Sequence, residues 1–155
     1  MGVVIVAFLL AALILLLVSA GVEDARTREI ANWKNAAIAL LAIPWWFAIG
    51  MTPMAIAVQI GVALCVFGLF VLTFYLGQMG GGDVKMLGAL ALWLPFYPLV
   101  SMLIAMSLIG GAMTLVMLIE HRLRRRATAL EIPYGIAIAI AALLIIREPN
   151  FYHFG

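Results

Sequence analysis

The chain has 155 residues, of which 67% are hydrophobic and only 10% are charged, and its formal net charge is +2. An average soluble domain is about 45–50% apolar and 25% charged, so this composition excludes a soluble enzyme and indicates an integral membrane protein. The small net charge gives no reason to expect nucleic-acid binding. The single cysteine, Cys65, cannot form an internal disulfide or a paired-cysteine metal site.

Apolar runs close to the ~17–25 residues of a membrane-spanning helix recur along the chain, and none alternates as a barrel strand would. They predict an all-α fold: a polytopic membrane protein with a bundle of about six transmembrane helices in one domain, 1–155. The predicted helices are about 1–20, 36–50, 54–76, 83–95, 99–119 and 132–146. The first run has no charge before Glu23 and is expected to be a retained helix, not a cleaved signal peptide.

The predicted connections carry most of the charge. Gly21 to Asn35 is expected to be a polar connection, and Glu120 to Glu131 is expected to form a basic loop. Trp45 and Trp46 are expected to anchor helix two at the membrane interface. Helix four offers only about 22 Å of length, but six crossings place eight of the nine basic residues on one face. The positive-inside rule then predicts cytoplasmic charged loops and both termini outside.

The chain contains two aspartates, Asp24 and Asp83, and this topology places them on the same membrane face. Two carboxylates within a few ångströms tend to share a proton. The ionised one can take a proton from water while the protonated one donates to an amide carbonyl, which is aspartyl proteolysis without a metal or cofactor. Because Asp24 follows one helix and Asp83 opens another, the helix dipoles predict Asp83 as the base and Asp24 as the acid.

Three glycines directly precede Asp83. Gly80, Gly81 and Gly82 have no β-carbon, so they allow positive φ angles and a close approach of a substrate backbone. The alternative interpretation is a flexible hairpin between two helices.

Two stretches carry a resemblance to the prepilin peptidase (type IV leader peptidase) family of GxGD membrane aspartyl proteases. The first, from Asp24 to Asn32, reads DARTREIAN, and it has Ala31 where the family usually has proline. That change is expected to loosen the turn without removing a chemical group. The second, from Gly80 to Lys85, reads GGGDVK and matches in full, and Pro133 to Gly135 is a weaker third match.

The resemblance implies catalytic residues Asp24 and Asp83, and an active-site loop with Gly80, Gly82 and Lys85. Residues that match its motifs and could support the site are Arg28, Asn32, Pro133, Tyr134 and Gly135. The alternative interpretation of these residues is structural: they anchor the chain at the cytoplasmic face, cap a helix or mark a helix start. No metal or cofactor is implied.

The implied reaction removes the basic leader of a prepilin-like or pseudopilin precursor. It takes place at the cytoplasmic face of a prokaryotic inner membrane. The substrate's hydrophobic helix would lie in the bilayer beside the enzyme. The chain is most similar to the short enzymes of tight-adherence (Flp) pili, and archaeal preflagellin peptidases are the second possibility. Without the cytoplasmic domain of larger members we expect no N-methyltransferase activity. The rival hypothesis is a non-enzymatic transporter subunit or assembly scaffold whose aspartates handle protons or stabilise helix contacts.

Overall fold

The computed structural model describes residues 2–124, with Arg124 by its backbone alone, and 134–148. All regular secondary structure within these ranges is helical. The helices are α1 (Gly2–Thr27), α2 (Asn32–Ala48), α3 (Pro53–Tyr75), α4 (Gly81–Leu90), α5 (Phe96–Arg124) and α6 (Tyr134–Ile146). The prediction of an all-α, polytopic bundle of six helices is confirmed. Three of these, α1, α3 and α5, are long and apolar enough to cross a membrane.

The connection between α1 and α2 is much shorter than the sequence predicted. α1 continues to Thr27 and α2 already begins at Asn32, so only residues 28–31 separate them, and the predicted polar connection from Gly21 to Asn35 is wrong. Asp24 therefore lies on a helix, in the last turn of α1. α5 likewise extends to Arg124, and most of the predicted basic loop falls outside the described residues.

α4 and α6 form the centre of the bundle. α6 packs against α1, α5 and α4, and α4 packs against α3 and α2. The crossing of α1 and α6 is close because small residues meet there: a β-carbon on Gly21 would lie 3.1 Å from the β-carbon of Ala139. This close approach brings the last turn of α1 against the first turn of α6.

α4 has 10 residues and is about 15 Å long, too short to cross a bilayer by itself. The backbone carbonyls just beyond its end are buried, and side chains from its neighbours satisfy them. Gln59 of α3 donates to the carbonyls of Ala91 and Leu94, both at 2.6 Å, and Trp46 of α2 donates to the carbonyl of Leu92 at 2.8 Å. These three carbonyls thus have donors although the helix ends inside the bundle.

The two tryptophans of α2 are core residues and not interfacial anchors, so that prediction is wrong. Trp45 is 0% exposed and Trp46 is 6% exposed. Trp45 packs against Trp93 with ring centroids 5.2 Å apart, and the Trp93 indole donates to the carbonyl of Ile38. These two contacts hold the C-terminal end of α4 against α2. They thereby help to position the other end of α4, which carries Asp83.

Candidate active site

Asp24 is buried at the meeting point of α1 and α6. The residue is only 4% exposed. Its Oδ2 accepts a hydrogen bond from the backbone N–H of Ile136 at 3.2 Å. Ile136 lies in the first turn of α6, where the helix dipole favours an anion. The N-terminal end of α6 therefore stabilises the ionised form of Asp24.

Gly135 provides the space for this contact. A β-carbon at this position would lie 2.8 Å from Cγ and Oδ2 of Asp24 and 2.8 Å from Cδ1 of Ile30. No side chain fits there without moving the carboxylate. Of the neighbouring predicted residues, Tyr134 packs its ring against Gly110 of α5, and Pro133 lies outside the described residues.

Asp83 lies in the first turn of α4, with Gly80 as the N-cap residue. The Gly80 N–H donates to its carboxylate, as in the reciprocal half of a capping box. Asp83 is 7% exposed. Its burial and, second, the negative charge of Asp24 raise the pKa of Asp83 to about 7, and the Gly80 N–H opposes this shift. Asp83 therefore holds a proton at a pH where an ordinary aspartate has lost it.

Both aspartates line one cavity of about 270 Å³ at the end of the bundle. The other lining residues are Arg28, Glu29, Ile30, Asn32, Gly80, Gly81 and Gly82. The carboxylates thus come from different helices, α1 and α4, but face the same space. The predicted residues Arg28, Asn32, Gly80 and Gly82 are brought together with them, whereas Lys85 is not among the lining residues.

The three glycines before Asp83 serve close packing, and none of them adopts the positive φ that glycine allows. In this region the positive φ belongs to Gly77, at 70°. A β-carbon on Gly82 would lie 3.2 Å from that of Ile30, and one on Gly81 would lie 3.3 Å from the ring of Phe74. Ile30 therefore fits between Gly82 and Gly135 and joins the two halves of the site.

A partly exposed ion pair holds the short α1–α2 connection. Lys34 lies 3.0 Å from the Glu23 carboxylate and also donates to the carbonyl of Ser19 at 3.1 Å. The same Glu23 oxygen accepts the backbone N–H of Ala31 at 3.0 Å. Alanine here therefore supplies a backbone N–H donor that proline lacks.

Two hydrogen bonds join the start of α2 to the start of α4. The Asn35 amide donates to the Gly82 carbonyl at 3.0 Å, and the Lys85 ammonium donates to Oδ1 of Asn32 at 2.7 Å. Arg28, which ends α1, has a φ of 59°, a conformation unusual for an arginine. These contacts set the distance between the two aspartate-bearing segments.

Sequence reasoning missed three contributors to this site. Asn35, Glu23 and Lys34 were assigned to a polar connection. The opposite charges of Glu23 and Lys34, on either side of a short turn, could have indicated an ion pair. The Ile136 N–H could not be found, because a backbone donor has no sequence signature. Within residues 2–124 and 134–148, no three His, Cys, Asp or Glu side chains are placed to share a metal ion.

Comparison with known proteins agrees with this site. A sequence model of the type IV leader peptidase family matches residues 4–115, most of the chain. The chain belongs to the type IV leader peptidase family. Comparisons with curated proteins and with solved structures gave no match. The matched segment of this family member contains both aspartates and the Gly80 to Lys85 stretch, and it ends before Gly135.

The contact between Gly135 and Asp24 predicts a large effect of Gly135→Ala. The new methyl group must displace the carboxylate or Ile30, and overpacking of this kind costs about 1–3 kcal/mol. Thermal unfolding in detergent should show a clear loss of stability. Gly111→Ala on α5 is the matched control, since a β-carbon there meets nothing within 4 Å, and it should be neutral or slightly stabilising. Equal unfolding temperatures for the two variants would contradict the proposed packing.

We expect Ala31→Pro to destabilise the protein, because proline has no N–H to donate to Glu23. The φ of Ala31, −57°, would otherwise suit proline. The lost hydrogen bond to a carboxylate outweighs the proline gain in unfolded-state entropy, so the unfolding temperature should fall. Thermal unfolding measures this cost. In a Glu23→Ala background the bond is already absent, so the same proline should cost nothing. A proline that stabilises the otherwise unchanged protein would contradict the assigned bond.

Proposed function

We propose that the protein is a membrane aspartyl endopeptidase that removes the basic leader of prepilin-like precursors, with Asp24 and Asp83 as its catalytic residues. One observation carries the proposal: the two aspartates of the chain, on different helices, line one cavity. Family membership supports peptidase chemistry, and the pair of carboxylates supports the aspartic type. The whole chain acts as one transmembrane domain.

The proposed roles reverse those expected from the sequence. That expectation placed Asp24 beyond the unfavourable C-terminal end of a helix, but Asp24 accepts the Ile136 N–H at the favourable N-terminal end of α6. Asp24 is therefore the ionised base. Asp83, whose pKa is raised to about 7 by burial and by the charge of Asp24, is the acid. The two titrate as a coupled pair.

Hydrolysis then follows from the two protonation states. Asp24 takes a proton from a water molecule, whose oxygen attacks the carbonyl carbon of the scissile peptide bond, while Asp83 gives its proton to the carbonyl oxygen. The tetrahedral intermediate collapses as the C–N bond breaks. Asp24 returns its proton to the leaving nitrogen, and Asp83 regains its proton from the hydroxyl that becomes the new carboxyl group. The pair ends as it began.

The site is proposed to face the cytoplasm of a prokaryotic inner membrane, with the termini on the other side. This orientation rests on the shared face of the basic residues. Prepilin-like proteins with a basic leader, a glycine and a hydrophobic helix are the proposed substrates, and the absence of a metal, a cofactor and a methylation step remains a prediction. The substrate helix would reach the site from the bilayer.

The direct test is cleavage of such a precursor by the purified protein in lipid nanodiscs. Asp24→Asn and Asp83→Asn should each reduce kcat by at least about 10³-fold, because each removes one of two required proton-transfer groups. Glu148→Gln, an exposed carboxylate beyond the end of α6, is the matched control and should retain full activity. Full cleavage by either aspartate variant would refute the two-aspartate mechanism, and a wild-type protein that conducts protons but cleaves nothing would favour the rival transport function.

The protonation states predict the pH dependence of kcat/KM. Above about pH 7, Asp83 loses its proton and can no longer donate to the carbonyl, so activity should fall with rising pH. Below the optimum, protonation of Asp24 removes the base, and the profile should be bell-shaped. Steady-state cleavage between pH 4 and 9 measures it, with Glu148→Gln expected to overlay the wild type. A rate that stays constant from pH 6 to 9 would be inconsistent with a protonated Asp83.

A further inference from the structure

Asn32, the first residue of α2, lies between two cavities. It lines the cavity of about 270 Å³ that Asp24 and Asp83 share, which we call the aspartate cavity. It also lines a larger, mostly apolar cavity of about 440 Å³ between α2, α3 and α4. Lys85 of α4 lines only the larger of these two. Asn32 therefore separates the Lys85 ammonium from the space that the aspartates face.

Lys85 fixes the orientation of the Asn32 amide. Its ammonium donates to Oδ1 of Asn32 at 2.7 Å. Because an ammonium can only donate, the amide oxygen must be the atom that faces Lys85. The charge on the donor makes this hydrogen bond stronger than one between neutral groups. The NH2 group is then the part of the amide left for the aspartate cavity, and none of the described residues accepts a hydrogen bond from it.

The aspartate cavity offers a ligand few side-chain donors. Among the side chains that line it, only those of Arg28 and Asn32 carry N–H groups. The charge of Arg28 acts on the Asp24 carboxylate. The NH2 group of Asn32 is therefore the uncharged donor that this site leaves unused.

The charges of the cavity select what this donor can bind. With Asp83 protonated, the ionised carboxylates of Asp24 and Glu29 still line the space. They outnumber the single cation of Arg28, so an anionic ligand is disfavoured. An NH2 group has no lone pair to offer a cation. A neutral carbonyl oxygen remains, and an extended peptide presents one at every residue. Because Lys85 already holds the amide, binding such a carbonyl requires little further ordering of the side chain.

We propose that the Asn32 NH2 group binds a backbone carbonyl of the substrate next to the scissile bond, and that Lys85 is a positioning residue that holds the amide in this orientation. This inference rests on the proposed function and adds to it a residue that binds the substrate. Asp83 donates to the scissile carbonyl and Asn32 to a neighbouring one. The peptide is then held at two points, which fixes the scissile bond between the two carboxylates.

Asn32→Asp separates substrate binding from a purely structural role of the bond between α2 and α4. The variant keeps an oxygen for Lys85 but replaces the NH2 group with a second acceptor. It should therefore unfold in detergent at the wild-type temperature or above. KM for the precursor should rise about tenfold, as expected for the loss of one hydrogen bond. kcat should stay within about twofold of the wild type, because the neighbouring carbonyl is bound equally before and during the reaction.

Asn32→Ala and Gln78→Glu complete the comparison. Asn32→Ala should raise KM to a similar extent but lower the unfolding temperature, because Lys85 loses its acceptor. Gln78→Glu makes the same amide-to-acid change between α3 and α4, outside the lining of both cavities. It should match the wild type in both measurements. A wild-type KM for Asn32→Asp would show that Asn32 only joins the two helices and would overturn the proposal.

The role of Lys85 is tested by its dependence on Asn32. Lys85→Met leaves the amide free to rotate and should raise KM about threefold, whereas Lys85→Arg keeps a charged donor and should retain most of the affinity. In the Asn32→Ala background, Lys85→Met should change KM no further. An equal effect of Lys85→Met with and without the amide would show that Lys85 is not a positioning residue for Asn32.

NMR observes the proposed hydrogen bond without catalysis. The chain has three asparagines, and the side-chain NH2 signal of Asn32 is the one absent from ¹⁵N-asparagine-labelled Asn32→Asp. The probe is a short peptide with a Lys/Arg leader and a glycine, whose scissile amide is reduced to CH2–NH, added to the wild-type protein in detergent micelles. The Asn32 NH2 protons should move downfield. The Asn35 NH2 group, bound to the Gly82 carbonyl, is the internal control and should move less. An Asn32 signal that ignores the peptide, or responds equally to a short-chain phospholipid, would contradict the proposal.

The outcomes distinguish this proposal from the peptidase function on which it rests. If the wild type cleaves the precursor and Asn32→Asp has the wild-type KM, the role of Asn32 is wrong and the peptidase stands. If the Asn32 signal responds to the peptide but the wild type cleaves nothing, the binding role stands and the peptidase function is wrong. If the signal does not respond and nothing is cleaved, both are wrong.

Discussion

The contact between the Asp24 carboxylate and the first turn of α6 is the constraint on which the site depends. It requires α1 to remain helical to Thr27, since only then does Asp24 face α6. It requires a glycine at 135, since a β-carbon there would overlap the carboxylate. It also requires the close crossing of α1 and α6 at Gly21. Through Ile30, which fits between Gly135 and Gly82, the same contact sets the position of the loop that carries Asp83.

Two buried carboxylates facing one cavity would repel each other if both were ionised. The two carboxylates have different surroundings, which favour different protonation states. Asp24 receives a backbone N–H from α6. Asp83 has its pKa raised to about 7 by burial and by Asp24, and so carries the shared proton. In the proposed mechanism this difference between the two carboxylates supplies one base and one acid.

The sequence was sufficient for the helical bundle, because long apolar runs have few alternatives in a membrane protein. It also identified Asp24, Asp83 and the glycines, because these residues are rare or clustered. It failed where a tertiary contact overrides local character. Glu23 and Lys34 suggested a loop but form an ion pair between α1 and α2. Trp45 and Trp46 suggested a membrane interface but are core residues. The packing role of the glycines could not be predicted, since their partners Ile30 and Phe74 come from other segments of the chain.

The most direct test of this account is a carboxyl ¹³C NMR titration of the protein labelled only at aspartate. The chain has two aspartates, so the spectrum should contain two carboxyl signals. The account predicts that Asp83, assigned through Asp83→Asn, titrates near pH 7, that the Asp24 signal responds in the same step, and that the remaining titration changes when either partner is replaced. Two signals that titrate independently near the ordinary aspartate value of about 3.9 would contradict it.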